Sequence, residues 1–519
     1  MEKKKRKALW RGLSSLMCFI LAFSILLGNI LEANAGTIDT YLGTLSEVTV
    51  SENTEENPLY DKFAPPAELL NEDGTGNSTA LIQAAMDLNR REVAEGAVLL
   101  KNDNNVLPLS SGSNVTLLGI RSHVNLLGSS FGVKAQGPYI SLEQALSQNR
   151  TDFANTITTT QNTNATSREV ATSVNKTMES WTGEEFDFEG AGFNVNPTMV
   201  EIYDKLNETY NHANNENAEE VYNPGEPSVE EIAAVNGSYQ DSFAQYGDAA
   251  IVVLGRPSAE SKDFLPGGIA EGLDFEHDEP LSLTQNELDA VELAKQCSDK
   301  VIVLISSSSS VEIGTLKNDP EVDAIMWIGA PGCYGMLGVA DILCGRVSPS
   351  GGLFDIFTTY NMSAPAMQNM GKMYYTNTAE EITRTGGVLG FVPGAYTIEA
   401  EGIYVGYRYY ETRYYDAVAG TGNATDPTGA YASTTEWNYD NEVTYGFGYG
   451  MSYTDFSFAF EGEPQFDIST DPETGAPNAY ATFNVRVTNT GDVAGKDAVQ
   501  LYVSLPYTDY DKEDRKSVV

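Results

Sequence analysis

The sequence predicts a three-layer α/β/α sandwich with a largely parallel sheet, followed by a truncated all-β sandwich. Three observations predict it. Apolar runs of strand length recur through the middle of the chain, helical stretches separate them, and past residue 400 the pattern turns Tyr-rich and then alternates. At 519 residues, 41% hydrophobic and 20% charged, the chain is long enough for two or three domains.

The apolar runs are VTLLGI (115–120), AIVVLG (250–255), VIVLIS (301–306) and AIMWIG (324–329). Each is continuous rather than alternating, as expected of strands covered on both faces. LIQAAMDLNRR (81–91) has a helical pattern, and EGAVLLKNDNNVLPL follows with a turn at Asn104-Asn105. In Thr284 to Cys297, Leu288, Val291 and Leu293 or Ala294 recur at helical spacing. Strands alternating with helices argue a sandwich built on a parallel sheet. Residues 150–240, rich in Asn, Thr and Glu, read as an insertion. Beyond residue 456, ATFNVRVTNTGDVAGKDAVQLYVSLP alternates about Asn489-Thr490-Gly491-Asp492, as a strand, a turn and a strand of an immunoglobulin-like sandwich. Such a sandwich needs about seven strands, so residues 456–519 are expected to be a partial module.

At the other end, Lys3 to Lys7, an apolar stretch from Leu13 to Leu31 and the site Ala33-Asn34-Ala35 make a secretory signal over residues 1–35, cut before Gly36. The expectation is a secreted protein; left uncut, the segment would instead anchor it to a membrane. Residues 36–80 read as a polar lead-in. A formal charge of −42 repels nucleic acid and anionic surfaces, but a neutral substrate would not feel that penalty. Cys18 leaves with the signal, and Cys297, Cys333 and Cys344 make no disulfide framework. With His123, His212 and His277 the only histidines in the sequence, and no Cys or His at ligand spacing, no metal site is expected.

Four stretches, in order, carry a resemblance: EGAVLLKNDNNVLPL (95–109), PGCYGMLGVADILCGRVSPSGGL (331–353), EGIYVGYRYYE (401–411) and YGFGYGMSYTDF (445–456). Together they resemble the second domain of family 3 glycoside hydrolases, and residues 480–505 are similar to the start of that family's fibronectin-III-like module. The resemblance implies an α/β sandwich domain over 81–455 and a β-glucosidase-like enzyme without a cofactor. Its substrate would be an oligosaccharide or β-glucoside. The family's nucleophile is an Asp of a barrel domain, usually in a Ser-Asp-Trp stretch. None occurs in these residues, so the barrel is expected downstream, in reversed domain order. The alternative is a secreted carbohydrate-binding or interaction module without catalysis.

Retaining hydrolysis needs two carboxylates about 5–5.5 Å apart, one attacking and one donating a proton. By resemblance the proton donor is Glu260, in GRPSAESKD directly after AIVVLG, with Glu271 in AEGLD as its rival. Position after the strand favours Glu260, because ligands bind where the strands of open α/β sheets end. Arg256 and Asp263 are the substrate-contact candidates; Arg256 could instead form a structural ion pair, and Asp263 could hold the loop. The run Ser306–Ser310 lacks a nucleophile elbow and reads as a turn. Gly329, Gly332 and Gly335 fit no phosphate loop and also read as a turn. The Tyr cluster 404–415 could stack on sugar or pack at the domain junction. His277 reads as a surface residue.

Overall fold

The structure is a computed structural model that describes residues 7, 10–21, 23–24, 66–72, 74, 76–123, 138–147, 156–161, 172–177, 188–209, 222–256, 264–371, 373–375, 395–399, 401–420, 437–470, 477–500, 502–503 and 517–518. It divides into two units, Met1–Gly74 and Thr75–Val519. In the first, residues 10–21 are helical and Ala67–Leu69 forms a 3-10 turn. No helix among the described residues is long and apolar enough to cross a membrane. The expected cleavage site before Gly36 lies outside the described residues.

The second unit is organised by a six-stranded sheet. Its strands are Val98–Asn102 (β1), Asn114–Leu118 (β2), Asn194–Val195 (β3), Ala249–Arg256 (β4), Val301–Ser307 (β5) and Ala324–Trp327 (β6). Their spatial order is β1-β6-β5-β4-β2-β3, all parallel except β1, which pairs antiparallel with β6 at the edge. The predicted apolar runs become β2, β4, β5 and β6.

A side-chain period of two explains why those runs are apolar throughout. Ile251 and Val253 of β4 enter one core, with Met86 of Ser78–Gly96 (α1) and Leu337 and Val339 of Met336–Leu343 (α5). Ala250, Val252 and Leu254 enter the opposite core, with Ile202 of Pro197–Thr209 (α2), Ile232 of Val229–Val235 (α3) and Leu293 of Gln285–Cys297 (α4). Helices on both faces complete the three layers. At Gly338 of α5 an added Cβ would stand 2.3 Å from Arg90 O, so glycine lets α5 lie against α1.

Within residues 150–240, Val195 of the edge strand β3 and Met199, Ile202 and Tyr203 of the covering helix α2 enter the cores. Phe456–Thr470 (β7) pairs antiparallel with Pro477–Asn489 (β8), and the ladder breaks off at the turn read at Asn489-Thr490-Gly491-Asp492. The Asn489 side chain explains the break: Oδ1 accepts from Thr454 Oγ1 at 2.7 Å and from Gly491 N–H at 3.0 Å, and Nδ2 donates to Val493 O at 2.8 Å. These bonds turn the chain away from the ladder. The Tyr-rich stretch forms a helix, Tyr407–Ala419 (α6), which buries Tyr410 against Ile356 and Trp437 and exposes Tyr414 and Tyr415.

Gly119, which follows β2, has φ +84°, and an added Cβ would stand 2.4 Å from Val253 O of β4. Conformation and space both demand glycine there. Gly119→Ala is expected to lower stability by about 2 kcal/mol or more, read as a fall in the urea midpoint. An unchanged midpoint would contradict the close approach of β2 and β4.

Candidate active site

β2 and β4 are neighbours, but the chain runs from β2 to β3 on one side and from β4 to β5 on the other, toward opposite edges of the sheet. In parallel sheets this reversal opens a crevice at the carboxyl ends of the strands, where ligands bind. Arg121, His123, Glu226, Arg256, Glu279, Glu287 and Glu312, all buried, gather about the carboxyl ends of β2, β4 and β5.

On the β2 side, the 3-10 turn Ile120–Ser122 is tied down by polar groups from a neighbouring segment. Gly119 N–H donates to the Tyr203 hydroxyl at 2.9 Å, Ile120 N–H to Glu226 Oε2 at 2.8 Å, and Arg121 Nη2 to Pro224 O at 3.1 Å. Burial, with a smaller contribution from Glu287, pushes the Glu226 carboxyl up to about 8, against the Ile120 N–H and Arg121, which both favour its ionised form. His123 stacks on Tyr203 with ring centroids 4.8 Å apart.

On the β4 side, Arg256 closes the strand at 1% exposure. Nε donates to Pro280 O at 2.8 Å, Nη2 to Ser282 O at 2.5 Å and Glu287 Oε2 at 2.8 Å, and Nη1 to Gly255 O at 3.0 Å and Glu287 Oε1. All five guanidinium donors are taken, so none is left for a sugar hydroxyl. Glu287 is also the third residue of α4. It accepts from Thr284 N–H at 2.9 Å while Glu287 N–H donates to Thr284 Oγ1 at 3.2 Å, a complete capping box.

Beyond β5, Ser307 Oγ accepts from Ser309 N–H at 3.0 Å, as turn chemistry requires. Glu312 then reaches back to the acidic loop. Its Oε2 lies 2.6 Å from His277 Nδ1, and its backbone N–H donates to Leu281 O at 2.9 Å.

Of the residues singled out from the sequence, Glu260 and Asp263 lie outside the described residues. Glu271 is exposed. Arg256 is the buried partner of Glu287, and His277 is half-buried against Glu312 rather than free on the surface. Sequence reasoning passed over Glu226, Glu287 and Glu312. Glu287 had a signal, the Thr-x-x-Glu spacing at the start of a helix; Glu226 and Glu312 had none beyond lying in loops that follow or face strand ends. Among the described residues no group of three or more His, Cys, Asp or Glu side chains could hold a metal ion.

With this geometry in place, comparison with known proteins decides the family. Residues 97–453 match the glycosyl hydrolase family 3 C-terminal domain. The chain belongs to this family. It is similar to β-glucosidase A of Butyrivibrio fibrisolvens, 27% identical over 453 residues, which are 83% of this chain and 43% of that protein. It is also similar to thermostable β-glucosidase B of Acetivibrio thermocellus, 27% identical over 266 residues, 50% of this chain and 26% of that protein. The family 3 chain thus spans less than half the length of these relatives. In fold it resembles β-glucosidase 3B of Thermotoga neapolitana, solved with α-D-glucose, at TM-score 0.52 and 22% identity, covering 86% of this chain and 47% of that one. A β-glucosidase from Paenibacillus barengoltzii gives TM-score 0.51 at 21% identity, covering 83% and 36%.

His123 offers a direct probe of how dry the family 3 site is. Its Nε2 is buried with no hydrogen-bond partner among the described residues, and burial holds its pKa down at about 3. The unfolded chain binds a proton near pH 6.5, which the folded chain refuses. This residue's contribution to stability is therefore full above about pH 6.5 and is lost as pH falls toward about 3. The His123 C2–H resonance is expected to keep its neutral shift down to about pH 4. A titration midpoint near 6.5 would contradict the burial.

Proposed function

We propose that this chain is the acid/base-bearing part of a retaining, β-glucosidase-like glycoside hydrolase that removes terminal β-linked glucosyl residues. In this reading Glu260, on the loop leaving β4, is the general acid/base. The nucleophile comes from a barrel domain outside these residues, the basic and apolar N-terminus directs export, and no cofactor takes part. The observation that carries the reading is membership of family 3 by a domain whose acidic loop leaves the sheet at its topological switch point. The names of the relatives, all β-glucosidases among those compared above, support the substrate class. The electrostatics of this end of the sheet support the acid role. A proton donor must keep its proton near neutral pH, and burial here raises Glu226 to about 8.

The chain alone is expected not to turn over aryl β-glucosides, since a lone acid/base cannot form a glycosyl-enzyme intermediate. Joined to a family 3 barrel, the protein should lose about 10²–10⁴-fold in rate on Glu260→Ala. The loss should shrink for dinitrophenyl glucosides, which leave without protonation, and azide should restore part of the turnover. Leaving-group dependence and azide rescue in Glu271→Ala instead would show that Glu271 is the acid. Turnover by the chain alone would overturn the division of roles.

A further inference from the structure

The limb of the acidic loop that returns to α4 is held from across the sheet end by Glu312, which is 1% exposed. Both Glu312 oxygens are engaged: Oε1 accepts from Asn361 N–H at 2.6 Å, and Oε2 lies 2.6 Å from His277 Nδ1. Two residues past His277, Glu279 is fully buried; the Leu281 N–H lies near it, and among the described residues no side chain donates to it.

The groups around His277 are mostly acidic. Glu312 faces it from the turn after β5, Glu276 and Glu279 from its own segment, and the Tyr360 ring at 4.7 Å from a third segment. Asp278 and Glu279 act on Tyr360, and Arg256 acts on Glu312 from β4. While His277 is charged and Glu279 neutral, the buried Glu312 carboxylate has a cation bonded to it, and the other acid near it, Glu276, is exposed to solvent. When both protons leave, Glu312 and Glu279 become neighbouring buried anions and the imidazolium bond is gone.

Both protons act in the same direction. The bond to Glu312 raises the His277 pKa above its ordinary value, and burial with the Glu312 charge raises Glu279 to about 7. A folded-state pKa above the unfolded value means a hold that is complete below the unfolded pKa and lost as pH rises through the folded one. For Glu279 that loss begins in the ordinary carboxylate range and is complete just above about pH 7; for His277 it begins near pH 6.5 and runs upward from there.

We propose that Glu312, His277 and Glu279 form a proton-operated latch that fastens the returning limb of the acidic loop, residues 275–284, to the end of β5. It is closed while His277 and Glu279 keep their protons and released when they lose them. The latch rests on these residues alone and stands whichever carboxylate donates the proton in catalysis.

Hydrogen exchange on the full chain, corrected for the intrinsic pH dependence of amide exchange, tests it without any measurement of activity. The reporters are the amides of Glu276 and Ser282, bonded to Leu283 O and Glu279 O, with β5 as internal reference. Protection of the reporters should fall about tenfold or more between pH 6 and pH 9 while β5 holds, since one pKa unit is tenfold. Glu279→Gln, which mimics the protonated acid, should keep much of its protection at pH 9. Glu312→Gln should be weakly protected at both pH values, and its His277 C2–H titration midpoint should drop below that of the unsubstituted chain. Protection constant within about twofold across the range would overturn the latch. So would a wild-type fall in Glu279→Gln, or an unshifted His277 midpoint in Glu312→Gln.

Discussion

A guanidinium at 1% exposure, set in the last position of the central strand β4, must find a partner for each of its five N–H groups. Arg256 finds them in Glu287, in the carbonyls of Pro280 and Ser282, and in Gly255 beside it. Removing two charges from water costs several kcal/mol per ion, and only complete hydrogen bonding offsets such a cost. Completeness here has a structural consequence. The partners belong to the strand, to the returning limb of the acidic loop and to the first turn of α4, so three elements are fixed to one another at one point. Glu287 adds to this by capping its own helix through Thr284 with the carboxylate that holds the arginine.

Around that point the chain's excess of acid becomes chemically specific. In a protein of 73 acidic and 31 basic residues, the carboxylates of Glu226, Glu279, Glu287 and Glu312 are buried at the carboxyl end of the sheet. Burial raises Glu226 to about 8 and Glu279 to about 7, while Arg121, buried beside Glu226, has its own pKa lowered by loss of water. Surroundings that keep carboxyls protonated near neutral pH are those a general acid requires. A neutral glycoside approaching such a field meets no net repulsion, unlike a nucleic acid or an anionic membrane.

The layers of the fold were legible because β2, β4, β5 and β6 are buried on both faces and therefore read as unbroken apolar runs. The edges were not. β3 is Asn194–Val195, too short to leave a pattern, and β1 ends in Lys101 and Asn102, which are polar. The β7–β8 pairing could not be read from sequence because alternation marks a strand but not its partner. At the site, the strand end and Arg256 could be read from sequence, as could an ion pair for Arg256. Its partner Glu287 lies thirty-one residues along the chain, a separation closed only by folding of the loop between them. Glu312 and His277 are likewise thirty-five apart and meet only because β5 lies beside β4.

The family 3 domain therefore has a site end organised by one buried ion pair, with proton-sensitive carboxylates arranged about it. A double-mutant cycle on Arg256 and Glu287 tests this most directly, using Arg256→Met, Glu287→Leu and the combined variant in urea unfolding. Each single change leaves an unpaired buried charge and should cost about 3–5 kcal/mol, whereas the double variant should cost less than their sum by about 2 kcal/mol or more. Costs that simply add, with a coupling below about 0.5 kcal/mol, would contradict the claim that this pair organises the site.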